Sequence, residues 1–300
     1  MQSKVIITID TEVRNEGRHI PEAFERYVLG SDQPNNYATL WLADTLKRHG
    51  FPGVFFLDVY GTAEFPKASY EKLCEGLLNQ GHSVQLHTHP DRMYDRARLN
   101  MHEYSLAEQI DIVREGISLL KRWTGQVPHA HRAGRYGANR DTLTALKRNG
   151  IFYDSSFFFG RENCHLPFPM SNDPFDGDGV LQIPVTVAPI PIAKLGKEFP
   201  WWTRRLWKRY QKLDVNSMVA PRLCECVLDA YGKVPYIILF MHSFSFSKRT
   251  AAGFVADQPG IDSLKAVLQL IKEKSMPVVT FDQVLADFPD YDKAPAAALC

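Results

Sequence analysis

The chain has 300 residues, 45% hydrophobic and 23% charged, which suits one large α/β domain around a single core. The formal net charge of +1 gives no overall field that would favour nucleic acid, and no apolar run reaches the ~18 residues of a membrane span. The five cysteines, Cys74, Cys164, Cys224, Cys226 and Cys300, show no CxxC spacing and read as reduced residues without a shared role.

MQSKVIITIDTE starts an apparent strand within a few residues of Met1 and lacks the layout of a secretory signal. It reads as the first core strand (KVIITID, 4–10) of a cytoplasmic protein. NYATLWLADTLKRHG (36–50) has helical periodicity and ends in glycine. GVFFLDV (53–59) reads as a strand, ASYEKLCEGLLNQG (68–81) as a helix and HSVQLH (82–87) as the next strand. SLAEQIDIVREGISLLKRWTG (105–125) is a long amphipathic helix, with Ser105 and Glu108 at capping-box spacing. VPHAHR, NRDTLTALKRNG (139–150) and IFYDSSF continue as strand, helix and strand. VLQIPVTV (180–187), PYIILFMHSF (235–244) and MPVVTF (276–281) read as further strands, and GIDSLKAVLQLIKEK (260–274) as a helix.

Largely apolar strands alternating with helices predict a parallel sheet covered by helices. The count favours a single distorted (β/α) barrel of about seven strands over residues 1–300. Its elaborations fall at about 13–35, 160–179 and 190–234. In such barrels the chemistry sits at the carboxyl ends of the strands. There the first strand carries Asp10 and Glu12, the third His87, His89 and Asp91, and the fourth His131, Arg132 and Arg135. The fifth carries Asp154, and the late strand His242.

Residues two apart on a strand point to one side, so His87 and His89 can share a face, as can Asp10 and Glu12. Two imidazoles and a carboxylate make a common ligand set for a catalytic zinc. Glu12, His87 and His89 are therefore read as ligands of one divalent ion, zinc by default. Asp10 is read as the base beside it. His82, His102, His129, His131 and His165 read as structural.

These motifs resemble the polysaccharide deacetylases, the NodB-like carbohydrate esterases. Thr8-Ile9-Asp10-Thr11-Glu12 is similar to the first motif, with the second acid displaced by one. His87-Thr88-His89-Pro90-Asp91 is similar to the second, an H-[ST]-x-x-H run. Either the spacing has contracted onto His89, which neutral imidazole and strand geometry favour, or Asp91 takes the second ligand position. Arg132-Ala133-Gly134-Arg135-Tyr136-Gly137 is similar to the third motif, R-x-[PG]-x-[YFW]-G. Gly150 to Ser156 resembles the fourth region, and Phe240-Met241-His242 the last.

The resemblance implies a metal-dependent hydrolase that removes N-acetyl groups from an amino-sugar in a polysaccharide or glycan precursor. Arg132 would hold Asp10 ionised, a backbone N–H near Tyr136 would stabilise the oxyanion, and His242 would protonate the leaving amine. Tyr136 and Arg135 would face the substrate. Two alternatives share the barrel: hydrolysis of a ureido or cyclic-amide C–N bond, and an inactive glycan-binding homologue. A phosphoesterase is disfavoured, because its H-x-H usually ends the first strand rather than the third.

The stretch 194–213 holds seven Lys or Arg, one acid and three tryptophans. It is expected to be a helix from Pro200, with Trp202, Leu206, Tyr210 and Leu213 in one stripe and Arg204, Arg205, Lys208, Arg209 and Lys212 largely opposite. It would serve as a packed cap, or as an interfacial helix on anionic lipid or a wall receiving a phosphorylated glycan carrier, and the amino-sugar substrate itself would be lipid- or nucleotide-linked. The expected location is the cytoplasm, at the inner membrane face if that contact forms.

Overall fold

The computed structural model describes residues 2–15, 19–20, 22–30, 36–190, 209–251 and 253–291. Its strands are β1 (Lys4–Thr11), β2 (Val54–Asp58), β3 (Ser83–Thr88), β4 (Ala130–Ala133), β5 (Tyr153–Asp154), β6 (Phe175–Gly177), β7 (Val180–Gln182), β8 (Val187–Ile190), β9 (Arg209–Lys212), β10 (Tyr236–His242), β11 (Ser247–Thr250) and β12 (Gly253–Ala256). The helices are α1 (Thr39–His49), α2 (Lys67–Leu78), α3 (Leu106–Thr124), α4 (Arg140–Arg148), α5 (Ala220–Ala230), α6 (Gln258–Glu273) and α7 (Phe281–Asp287).

Eight strands form one curled sheet in the order β10-β1-β2-β3-β4-β5-β7-β6. Every pairing is parallel except the β6–β7 hairpin. The expected α/β barrel of about seven strands is thus present as a half-barrel. Its gap is stitched rather than closed by a ladder. Phe240 N donates to Leu213 O (2.8 Å), Leu213 N to Thr186 O (3.3 Å) and Ile238 N to the Thr186 hydroxyl (2.8 Å).

Three expected strands are shorter than their apolar runs. The 180–187 run breaks after Gln182 because Pro184 has no N–H to give a ladder. The 276–281 run makes one bridge, Val278 to Val5. β5 ends at Asp154, and the Ser156 hydroxyl accepts from Ala133 N (2.8 Å) where a strand carbonyl would have done so. The stretch 194–208 lies outside the described residues, so the cap and the membrane contact expected there fall outside them too. The part that is described corrects the expected helix. Arg209–Lys212 is a strand antiparallel to β8, and its backbone amides are used across that pair.

The period-2 alternation of strands divides the core. Val5, Ile7 and Ile9 of β1, Phe55 and Leu57 of β2, and Ile237, Leu239 and Met241 of β10 face the helices. Ile6, Val54, Phe56, Ala130, Tyr153, Leu181, Tyr236 and Ile238 face the barrel interior, with Phe281 and Val284 of α7 packed among them. Continuing the interior rows toward the carboxyl ends leads from Ile6 to Asp10, from Phe56 to Asp58, from Ala130 to Arg132 and from Ile238 to His242. The register pairs Asp10 with His242, Asp58 with His87, and His87 with Arg132. One interior layer of side chains is therefore ionisable.

Candidate active site

Asp10 and Arg132 form the floor of this layer. Arg132 Nη1 donates to Asp10 Oδ1 at 2.8 Å and to Thr8 Oγ1 at 3.1 Å. Its Nε and Nη2 donate to the Ser155 carbonyl (3.2 Å) and hydroxyl (3.0 Å), and Phe56 lies under the guanidinium at 4.4 Å. Arg132 is fully buried, so these partners replace its hydration. Burial raises the Asp10 pKa, but Arg132, His87 and His242 outweigh it and hold the carboxyl below its usual range.

Glu12, His87 and His89 converge above this pair, with one ligand atom from each within 4.8 Å of the others. His87 Nδ1 is 2.8 Å from the Arg132 carbonyl, which fixes the proton on Nδ1 and leaves Nε2 facing the layer. His89 Nε2 is buried without an aligned hydrogen-bond partner, although Glu12 Oε2 stands 2.5 Å away. A ring nitrogen and a carboxylate that close, and not aimed at each other, fit a shared cation. The donor set of two imidazoles and one carboxylate suits zinc and other divalent ions. The Glu12 carboxyl is held well below its usual pKa, because His89 overrides the effect of burial.

Asp91 stands behind His89 rather than in the converging group. Its Oδ1 is 3.7 Å from His89 Nδ1 and 3.2 Å from Arg135 Nη1. Of the two sequence readings of the second motif, the geometry brings His89 to Glu12 and His87, and Asp91 to the far side of the His89 ring.

Arg135 and Tyr136 occupy consecutive left-handed conformations, with φ of 55° and 62°, in a turn closed by Gly137 N to Gly134 O (2.9 Å). Each such non-glycine residue costs roughly 1–2 kcal/mol. The turn sends Arg135 back to Asp91 and the Leu99 carbonyl. The Tyr136 hydroxyl instead meets Lys212 Nζ at 3.0 Å.

His242 stands at the opposite rim. Its Nε2 lies 3.7 Å from Glu12 Oε1, and its ring stacks on Phe244 at 4.6 Å. Burial and then Lys212 lower its pKa. Asp10, Glu12, His87, His89, Arg135, Tyr136 and His242 all line one cleft of about 730 Å³, within the range of small-molecule sites.

Three charged residues at this layer, Asp58, Arg92 and Asp214, were not singled out from the sequence, and Lys212 was expected on the basic face of a helix rather than in this cleft. Asp58 ends β2 on its interior face and pairs with Arg92 Nε at 2.7 Å. Arg92 also donates to the Val13 carbonyl, which ties down the backbone just past Glu12. The alternation of GVFFLDV places Asp58 with Phe56 and could have found it. Lys212 and Asp214 pair at 3.3 Å, and both line the cleft. Lys212 Nζ also sits 3.1 Å from the centre of the Phe240 ring. Nothing local in the sequence marks Asp214 or its pairing with Lys212.

His131 and Asp154 end strands yet face the helices. Their 2.8 Å hydrogen bond and the 3.0 Å contact of His131 with Thr88 lie fully buried outside the cleft.

No protein-family model matches the chain, and no curated protein sequence does. Solved structures do match. A protein from Mycobacterium smegmatis assigned as a polysaccharide deacetylase superposes with a TM-score of 0.60 over 98% of this chain and 92% of its own, at 17% identity. The fold is that of the polysaccharide deacetylases. A family 4 carbohydrate esterase from Streptomyces lividans, solved with acetate, gives a TM-score of 0.50 at 12% identity over 93% of each chain. The peptidoglycan N-acetylglucosamine deacetylase Bc1960 gives 0.50 at 15%, over 94% of this chain and 87% of that one. At such identities the likeness is one of backbone. It agrees with the family resemblance read from the motifs, and the polysaccharide deacetylase fold puts those motifs on the strand ends where the site was built above.

Proposed function

We propose that this protein is a metal-dependent amide hydrolase that removes the acetyl group from the nitrogen of an acetamido sugar. One observation carries the reading. The Glu12–His87–His89 group lies between the Arg132-held Asp10 and His242, in one cleft at the carboxyl ends of the strands. Hydrolysis of an amide needs a base for water, charge stabilisation at the carbonyl oxygen and a proton for the leaving nitrogen. The cleft offers a candidate for each.

Glu12, His87 and His89 would hold a divalent ion, which supplies Lewis acidity when bound. Asp10 accepts the proton of the attacking water, and Arg132 keeps it ionised and oriented through its 2.8 Å contact. The backbone N–H of Tyr136 donates to the developing oxyanion. His242 delivers a proton to the departing amine. Phe244 and Phe158 line the cleft and offer apolar faces to a sugar ring. The fold neighbours named as polysaccharide or peptidoglycan deacetylases support the same reaction class.

The direct test is acetate release from N-acetylated oligosaccharides by purified protein, before and after chelation and with zinc, cobalt or manganese restored. Acetate release that chelation abolishes and metal restores supports the reading. A fully metal-loaded protein that releases ammonia from ureido compounds, and no acetate from any acetamido sugar, overturns it.

A further inference from the structure

The charges on the cleft do not balance once each acid is matched with its partner. Its lining includes the acids Asp10, Glu12, Asp214 and Asp257. Asp10 is held by Arg132, and Glu12 faces His89. Asp214 is paired with Lys212 at 3.3 Å, and Asp257 with Lys248 at 2.8 Å. Each acid is thus already opposed by a cation or an imidazole, and a divalent ion would add further positive charge. Arg161 also lines the cleft, and it makes no ion pair among the described residues.

Arg161 and Lys212 belong to the same wall. Lys212 Nζ donates to the Tyr136 hydroxyl, and Arg161 acts through space on that hydroxyl, opposing the rise that burial imposes on its pKa. Arg161 N bonds the Phe158 carbonyl (3.2 Å), and Phe158 packs edge-on against Tyr136 at 5.1 Å. A lysine so deeply set is costly unless it is paired or used. Asp214 and Tyr136 account for two of its three N–H donors, and Phe240 lies under the ammonium. An arginine fork at the mouth and an ammonium deeper in suit a carboxylate or phosphate group.

We propose that the Tyr136–Phe158–Arg161–Lys212 wall is an anion subsite, and that the substrate is an acetamido sugar bearing a carboxylate or phosphate group. The proposal rests on the reading of the site as a sugar deacetylase and narrows its substrate class.

The test measures binding by calorimetry and acetate release for four ligands on metal-loaded protein: N-acetylglucosamine, its 1-phosphate, its 6-phosphate, and N-acetylmuramic acid. The expected result is at least tenfold tighter binding of one anionic sugar than of the neutral one. That preference should shrink severalfold between 50 and 300 mM salt, because salt screens charge interactions over ~10 Å. Arg161→Gln should raise KM for the preferred sugar about tenfold, and Arg161→Lys should recover part of the loss. Thermal unfolding checks that both variants stay folded. Lys212→Met should narrow the preference in the same direction. The phosphate and muramate arms tell the two anion sources apart. Equal binding of neutral and anionic sugars, or an Arg161→Gln protein with its preference intact, overturns the subsite. An anionic sugar that binds tightly but releases no acetate preserves the subsite and sinks the deacetylase reading. Acetate released equally from neutral and anionic sugars does the reverse.

Discussion

Gly134 lies flat against the imidazole of His89. A methyl group at position 134 would sit 2.5 Å from both Cε1 and Nε2 of that ring. The motif that Arg132–Gly137 resembles admits proline or glycine here, but this contact admits only glycine. The contracted spacing of His87 and His89 is thus matched by an absent side chain on the neighbouring strand end. Gly134→Ala should push His89 off Glu12 and weaken metal affinity by about 10–100-fold, the scale of losses when a ligand is poorly held. Equilibrium dialysis with zinc, alongside circular dichroism to confirm the fold, checks this. Unchanged metal affinity would mean that the ring has room to move.

The ligand set predicts an ordered response to substitution. His87→Ala and His89→Ala should each strip the ion from dialysed protein, and Glu12→Ala should weaken it. Asp91→Ala removes only a group 3.7 Å behind His89 Nδ1, so the ion should stay, with affinity lowered by no more than ~100-fold. Metal content by atomic emission decides between them. Loss of metal from Asp91→Ala together with retention by His89→Ala would move the site to the other side of the ring.

Asp10→Asn keeps the shape of the side chain and most contacts of Arg132 but cannot take a proton from water. Metal content should be unchanged, while acetate release falls by about 10²–10⁴-fold, the usual contribution of a general base. A metal-loaded Asp10→Asn protein with near-wild-type turnover would remove Asp10 from that role.

The strand-end groups were legible because short strand-like runs end in an inward-facing ionisable residue, on a mostly apolar inward row in β2 and β10 and on the polar row Ser83–Gln85–His87 in β3. Asp10, His87, Arg132 and His242 follow that rule, and Asp58 follows it too. The same parity explains why His131 and Asp154 do not belong to the cleft: Ala130, Arg132 and Tyr153 point in, so their neighbours point out. The placing of Lys212 beside Asp214 in the cleft was not legible, because a crossing of the barrel gap brings them to β10, and no local pattern encodes a tertiary crossing. The breaks at Pro184 and after Asp154 were hidden for another reason. An apolar run records burial, whereas strand pairing also needs backbone donors.

The outward-facing His131 predicts a stability effect without a direct catalytic one. His131 links Asp154 to Thr88, the residue between His87 and His89, in a fully buried network. His131→Ala leaves the Asp154 carboxyl and the Thr88 hydroxyl without that partner. Ser156 still bonds both oxygens of the carboxylate, so a loss of about 1–3 kcal/mol is expected, as for leaving buried polar groups short of a partner. Urea unfolding measures it. A loss below ~1 kcal/mol would show that the network contributes little to holding the strand ends.

Lys212 supplies the last prediction, a pH dependence. Burial pushes its ammonium down to about 8, with Asp214 and Asp10 opposing the fall. A guanidinium keeps its charge throughout this range. Burial and Lys212 hold His242 below its usual value, so its own titration falls below this window. The Tyr136 hydroxyl is raised far above its usual value and stays protonated. A sugar phosphate is essentially fully ionised above pH 7, its second pKa being about 6. Between pH 7 and 9.5, then, Lys212 is the group on this wall that changes charge. It is charged below about 8, so preference for the phosphorylated over the neutral sugar should be full at pH 7 and fall as pH rises through 8. It should level off at the part that Arg161 supplies. Taking the ratio of the two affinities cancels effects common to both sugars. In Lys212→Met the ratio should be lower at pH 7 and flat across the range. A wild-type ratio that stays constant from pH 7 to 9.5 would show that Lys212 does not reach the anion, and would leave Arg161 to hold it alone.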